Sequence, residues 1–161
     1  MKCVRRSLRR ITRRLTRFLV EHSRWLRRSS VDCPTDPRPV QGRRAEWLAG
    51  WWLRAQGAHL LARRFPTPFA EVDLVVVDGS DLVVVEVKSR HGPGEINIHA
   101  DQRARLVRAA QWIDAEYGRP TSGIRIDVIG VHWSERRWGW PTIEREVGAL
   151  GECDRHARRD S

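Results

Sequence analysis

The chain has 161 residues, 30 of them Lys or Arg and 20 Asp or Glu, for a formal net charge of +10. Residues 1–40 hold twelve of the basic residues and three acids, a net +9, which leaves the other 121 residues at +1. That distribution excludes a uniformly basic protein and describes a basic arm on a nearly neutral body. The body has the size of one domain, which commonly runs about 100–150 residues.

At 40% hydrophobic residues with eight Trp, the body can bury a core. Cys3, Cys33 and Cys153 are scattered and share no metal-ligand spacing, which argues against a disulfide framework and fits a reducing cytoplasm. No apolar run approaches the ~18–20 residues of a membrane span; Leu74–Val77 and Leu82–Val85 are strand-sized. Arg recurs through the N-terminus and interrupts any signal-peptide-like stretch, so neither secretion nor membrane spanning is expected. Only two of the 30 basic residues are Lys, Lys2 and Lys88.

In residues 4–26, Val4, Leu8, Ile11, Leu15, Leu19 and Leu26 recur at helical steps, with Arg5, Arg6, Arg9, Arg10, Arg13, Arg14 and Arg17 on the other faces. Such a basic amphipathic helix suits a phosphate backbone or an anionic membrane surface; a poorly ordered extension is the alternative. Ser29–Pro39 reads as a linker, since three Pro in six residues cannot continue a helix. The arm and linker are thus expected over 1–40, a domain over 41–147 and a disordered polar tail over 148–161.

Within the domain, Arg43–Gln56 reads as a helix with Leu48, Trp51, Trp52 and Ala55 at apolar spacing and Gly57 as its C-cap. Trp47, Trp51 and Trp52 read as core and half-exposed helix packing rather than as base-stacking platforms. Leu60–Arg64 is a short strand stopped by Pro66-Thr67-Pro68. Glu71–Val77 and Leu82–Lys88 are β-rich runs around Asp78-Gly79-Ser80-Asp81, a hairpin signal. Arg90–Gly94 is a loop, and Asp101–Tyr117 is a second helix with Leu106, Ala109, Ala110, Ile113 and Tyr117 inward. Ile124–Val131 is a further strand, in which Asp127 reads as a solvated strand end. Trp138–Ile143 forms an edge strand limited by Pro141. The order α-β-β-β-α-β describes an α/β domain with a mixed sheet.

The hairpin register carries the functional signal. If Asp78 and Asp81 flank the turn, paired positions sum to 159, so Asp73 faces Glu86 and Glu71 faces Lys88. Directly opposed residues have Cβ atoms about 4.5–5.5 Å apart. Two like charges at that distance oppose sheet formation unless a cation sits between them. Lys88 lies two positions along from Glu86, so a divalent metal is the better compensator. Mg²⁺ commonly takes one or two carboxylates, keeps waters and completes its shell with phosphate oxygens. Lys88 beside it would orient an attacking water or stabilise charge on the phosphate, a task for a flexible point charge rather than a planar guanidinium. A solvated strand face with a Glu71–Lys88 pair is the alternative.

Asp73 followed by Glu86-Val87-Lys88 is the D…(D/E)xK arrangement of restriction-endonuclease-like nucleases. Further segments resemble the YraN-like family of bacterial proteins in that superfamily: Gly42-Arg43-Arg44-Ala45-Glu46-Trp47-Leu48-Ala49 its first helix, Ala70-Glu71-Val72-Asp73-Leu74-Val75 its "GEIDLI", Val84-Val85-Glu86-Val87-Lys88-Ser89-Arg90 its "FVEVKxR". Residues 102–110 resemble its second helix, and Arg125-Ile126-Asp127-Val128 its "RFDVV" strand. The resemblance covers about 41–147. It departs at Ala70, where the family has Gly, and in the basic arm, which lies outside the family's usual extent.

The resemblance implies a nuclease core similar to Holliday-junction resolvases, acting on DNA rather than RNA with Mg²⁺ or Mn²⁺. It implies Glu46, Asp73 and Glu86 as metal ligands and Lys88 as the catalytic Lys; Gln102 matches a position where the family commonly has Lys or Gln. Arg64, Arg90, Gln102, Arg103 and Arg105 are the candidate phosphate contacts. Action on two strands would call for a homodimer. Three classes remain open: a metal-dependent endonuclease, with branched or structured DNA as one candidate substrate; a nucleic-acid-binding protein that keeps the fold without cutting; and a structural or membrane-associated protein working through its arm.

Overall fold

A computed structural model describes residues 37–92, 94, 97–117, 122–134, 139–150 and 152–153. The expected amphipathic arm falls outside these residues. Helix α1 (Pro37–Ala55) is followed by strands β1 (His59–Pro66), β2 (Glu71–Asp78) and β3 (Asp81–His91), helix α2 (Ala100–Tyr117), and strands β4 (Ile124–Trp133), β5 (Thr142–Glu146) and β6 (Glu152–Cys153). The core is therefore the expected α-β-β-β-α-β.

Helix α1 begins at Pro37, six residues before the periodicity alone predicts, and takes in part of the expected linker. Its two prolines lie in the first turn, where backbone N–H groups have no intrahelical acceptor, so the missing donors cost the helix nothing. At the other end, Ala58 N–H donates to Leu53 O and Gly57 N–H to Arg54 O, both at 3.0 Å, with Gly57 at φ 93°. That is a Schellman C-cap on the predicted glycine.

The sheet order is β1-β2-β3-β4-β5, with β6 also on β4. Every neighbouring pair is antiparallel except β3 and β4, which run parallel. A parallel pair needs a long crossover, and α2 supplies it. The two helices lie on opposite faces. Under α1, Ala45, Ala49 and Leu53 pack on Leu74, Val76, Val83, Val85, Ile129 and Val131. Under α2, Ala109, Ala110, Ile113 and Tyr117 pack on Val75, Val77, Leu82, Val84, Ile124 and Ile126. With both faces covered, the central strands are unbroken valine runs rather than an alternating pattern.

Three local expectations change. Trp51 faces outward, 60% exposed, because Ala45, Ala49 and Leu53 form the contact stripe. The edge strand starts at Thr142, directly after Pro141, which has no N–H for a ladder; Trp138 lies outside the described residues. Part of the expected polar tail is strand: Cys153 pairs with Ile124 and Glu152 with Arg125.

Asp127 is wholly buried, not a solvated strand end. Its Oδ2 accepts from Arg145 Nη2 at 2.6 Å, and its Oδ1 from Arg125 Nε at 3.2 Å and Gly148 N–H at 3.0 Å. Arg125 also reaches Asp78 and Asp81, each at 2.8 Å, and Arg145 reaches Asp78 at 2.6 Å. This network ties the β2–β3 turn to β4 and β5.

Candidate active site

The observed hairpin register is Leu74↔Val85, Val75↔Val84, Val76↔Val83, Val77↔Leu82 and Asp78↔Asp81, the predicted sum of 159 throughout. The ladder stops at Leu74, one residue short of Asp73. Where the next pair would form, Asp73 Oδ2 instead accepts the Val87 N–H at 2.7 Å. A carboxylate has replaced a backbone carbonyl as the partner of β3. On the other side of β2, Arg63 pairs with Leu74 and Phe65 with Val72. Arg64, opposite Asp73, has a φ of 46°, a left-handed conformation that a side chain adopts at a cost. The sheet is thus irregular on both sides of Asp73.

Glu86 is buried at 6% exposure, and its partners come from its own strand and from α2. Lys88 Nζ lies 3.0 Å from Glu86 Oε1. Gln102 Nε2 donates to the same oxygen at 2.5 Å, while Gln102 Oε1 accepts from Lys88 Nζ at 2.8 Å. The three side chains form a closed triangle that holds both charges in place. Gln102, expected as a phosphate contact, belongs to this cluster. Sequence periodicity offered no reason for that role, although the family resemblance had singled the position out.

Burial, with the Glu86 charge next, raises the Asp73 pKa to about 7 against the opposing Val87 hydrogen bond. The nearby Glu46 adds to the rise. Burial also raises the Glu46 pKa, Arg64 works against it, and the Glu71 charge pushes the same way as burial. Glu46, half-buried on α1, therefore borders the pair without an ion pair of its own among the described residues. The suggested Glu71–Lys88 pair does not form, since Glu71 Oε1 accepts from Arg64 at 2.8–2.9 Å.

Asp73 Oδ1 and Glu86 Oε2 carry no hydrogen bond among the described residues, so each acid keeps an uncommitted oxygen. Two hard oxygen donors, one on an acid that resists ionisation beside another, suit a hydrated Mg²⁺ or Mn²⁺. Among the described residues no three Asp, Glu, His or Cys side chains gather as a ready metal cage. The Glu46–Asp73–Glu86 set is therefore two adjacent carboxylates with a third at their border, which matches Mg²⁺ sites better than a closed site.

Arg64 is engaged by Glu71, and Arg103 Nη2 donates to Ala149 O at 3.3 Å. Arg90 and Arg105 are exposed, on β3 and α2 respectively. His91, beyond Lys88 on the same strand, bonds with Gln41 of α1. No helix among the described residues is long and apolar enough to cross a membrane.

Residues 45–131, which hold Glu46, Asp73, Glu86, Lys88 and Gln102, match the model of the uncharacterised protein family UPF0102. The chain belongs to the UPF0102 family. This is the YraN-like family that the motifs resemble. A UPF0102 protein of Bordetella avium is 40% identical over 107 residues, 64% of this chain and 74% of its own length. Another, from Streptomyces griseus, is 36% identical over 118 residues, 69% of this chain and 96% of its own. A third, from Beutenbergia cavernae, is 42% identical over 96 residues, 56% of this chain and 80% of its own. The UPF0102 match begins within α1, and the basic arm precedes it.

Proposed function

We propose that this UPF0102 protein is a metal-dependent endonuclease that hydrolyses DNA phosphodiester bonds. The observation that carries the reading is the Asp73–Glu86–Lys88–Gln102 cluster at the point where the β2–β3 ladder stops. A structural role has no need of a half-buried Asp73 whose ionisation is opposed by burial and by the neighbouring Glu86 charge. A phosphoryl-transfer site does, because it must hold a cation against a phosphate.

Asp73 and Glu86 would hold Mg²⁺ or Mn²⁺, with Glu46 completing the set. The bound cation supplies positive charge against the developing charge on phosphate and makes an attacking water easier to deprotonate. Lys88 is a cation already fixed by two partners, so it can meet phosphate charge without reorganising. Gln102 keeps Glu86 Oε1 occupied and turns its other oxygen to coordination. Arg103 and Arg105 on α2 and Arg90 on β3 supply sequence-independent phosphate contacts. Branched DNA is the first substrate class to test, and a resolvase-like reaction would require a homodimer.

The test is cleavage of plasmid and four-way-junction DNA with Mg²⁺ or Mn²⁺, beside Glu86→Gln and Lys88→Ala. Cutting by the wild type that both substitutions abolish supports the reading; cutting that survives both overturns the mechanism. The second reading, a nucleic-acid-binding protein that keeps the fold without cutting, gains from the exposed Arg and Trp residues of α1 and would be favoured by salt-sensitive binding without cleavage.

A further inference from the structure

The outward face of α1 has no part in the core. Arg43, Trp47, Trp51 and Arg54 follow one another at steps of four, four and three, all exposed, with Arg44 beside them. Trp47 and Trp51 are 58% and 60% exposed, so more than half of each side chain lies in water. Side chains at i and i+4 are neighbours on a helix surface. Glu46, which borders the carboxylate pair, stands between Ala45 and Trp47, so this stripe begins next to the candidate active site.

Arg63 of β1 gives the stripe a fixed anchor. Its guanidinium lies 4.4 Å from the centre of the Trp47 ring and donates from Nη1 to Glu46 O at 2.8 Å. It can lie there because position 50 is glycine: a Cβ at Gly50 would stand 2.5 Å from Arg63 Nη2. One face of Trp47 is therefore held by a cation, and over half the side chain is open to solvent. Arg44 and Arg54 make no ion pair among the described residues. A second copy of the chain is a poor occupant, because a two-fold contact would oppose guanidinium groups to one another. A strand that is anionic along its backbone and carries free base faces fits both features, since bases stack on aromatic rings while Arg groups meet phosphates.

We propose that the Arg43–Trp47–Trp51–Arg54 stripe, with Arg63, binds single-stranded DNA and leads it toward the Asp73–Glu86 pair. This rests on the endonuclease reading and narrows its substrates to DNA with an unpaired strand, such as a flap, fork or gapped junction. Paired bases hide the faces that Trp47 and Trp51 would stack on, so a plain duplex gains only the Arg contacts.

The test is fluorescence anisotropy of the full chain with a labelled oligothymidylate and with a labelled duplex of equal length, in EDTA so that nothing is cut. The wild type should prefer the single strand by at least about tenfold. Stacking on an aromatic side chain is worth about 1–3 kcal/mol per base, or about 5–150-fold. Trp47→Ala and Trp51→Ala should each weaken single-strand binding within that range, with little change for the duplex, while Trp47→Phe restores most of it. Gly50→Ala is an independent arm: Ala favours the helix, so the fold is kept, while the Cβ displaces Arg63 and weakens single-strand binding. Equal wild-type affinity for the two DNAs, or unchanged single-strand affinity in a folded Trp47→Ala/Trp51→Ala double variant, would overturn the proposal. So would a wild-type dimer in sedimentation that this double variant converts to monomer. Glu86→Gln separates the two readings, since it should abolish cutting and leave this binding intact. Binding without wild-type cleavage would sink the nuclease and keep the stripe; cleavage indifferent to both tryptophans would do the reverse.

Discussion

The two ends of the β2–β3 hairpin carry the same kinds of residue and treat them in opposite ways. At the turn end, Asp78, Asp81 and the buried Asp127 share Arg125 and Arg145, and every acid has a guanidinium partner within 3.2 Å. Hydrogen bonding to Arg145 leads the causes that hold the Asp78 pKa below the ordinary Asp value. Five residues along the same strand, the Asp73 pKa is pushed up to about 7 by burial and the Glu86 charge. There Asp73, Glu86 and the bordering Glu46 have one Lys among them, and it pairs with Glu86 alone. A strand that neutralises its acids at one end and leaves them in surplus at the other has one end closed by ion pairs and one end where the proposed cation would find free carboxylate oxygens.

The largest effect should come from breaking the turn end. Arg145→Ala takes away one partner of Asp127, and removing one member of a buried pair typically costs about 3–5 kcal/mol. Urea unfolding should detect a loss of that order, although Arg125 remains. If the variant is as stable as the wild type, the turn network is not a structural clamp. By contrast, Lys88→Ala should lower DNA cleavage by about 10²–10⁴-fold, the usual scale for a lost group that acts in the transition state, a loss of activity much larger than its loss of stability, since Gln102 still donates to Glu86.

Protonation should separate the ends further. An acid whose folded pKa is raised binds its proton more tightly when folded, so its effect on stability is most favourable below the unfolded pKa. Stability is then lost as pH rises from about 4 toward 7. Asp73→Asn should therefore raise the melting temperature by several degrees at pH 8 and have little effect near pH 4. Asp78 has the opposite sign: its contribution is present above the unfolded pKa and is lost as pH falls through the lower folded value. Asp78→Asn should thus destabilise the protein at pH 8. A melting series in which both variants move the same way at pH 8 would remove the distinction between the ends. The smallest effect is expected for Gln102→Ala, about tenfold in cleavage rate, because Gln102 acts through Glu86 and Lys88 rather than on the substrate.

Much of this was legible in the chain itself. Turn chemistry at Asp78-Gly79-Ser80-Asp81 and the alternation of a strand were enough to set Asp73 opposite Glu86, and the observed register agrees at every pair. What the register could not convey is that the pairing stops just before these residues, because a side chain displacing a backbone partner leaves no periodic trace. The left-handed Arg64 is hidden for the same reason, since nothing in Ala-Arg-Arg-Phe marks one arginine as strained. The burial of Asp127 is not legible locally, because its partner Arg145 lies 18 residues on and Asp78 joins Arg145 across 67. Local composition carries no information at that range. The early start of α1 was masked by prolines that break a helix in its interior but fit its first turn.

The central claim is that the open end of the hairpin, and not the clamped end, binds a divalent cation. Titration of Mn²⁺ into the metal-free protein at pH 8, followed by electron paramagnetic resonance of the free ion, tests it most directly. The wild type should bind Mn²⁺ at a site that Asp73→Asn and Glu86→Gln each weaken at least about tenfold, roughly 1.4 kcal/mol, and that Asp78→Asn leaves unchanged. Equal Mn²⁺ binding by all four proteins, or a loss confined to Asp78→Asn, would contradict it.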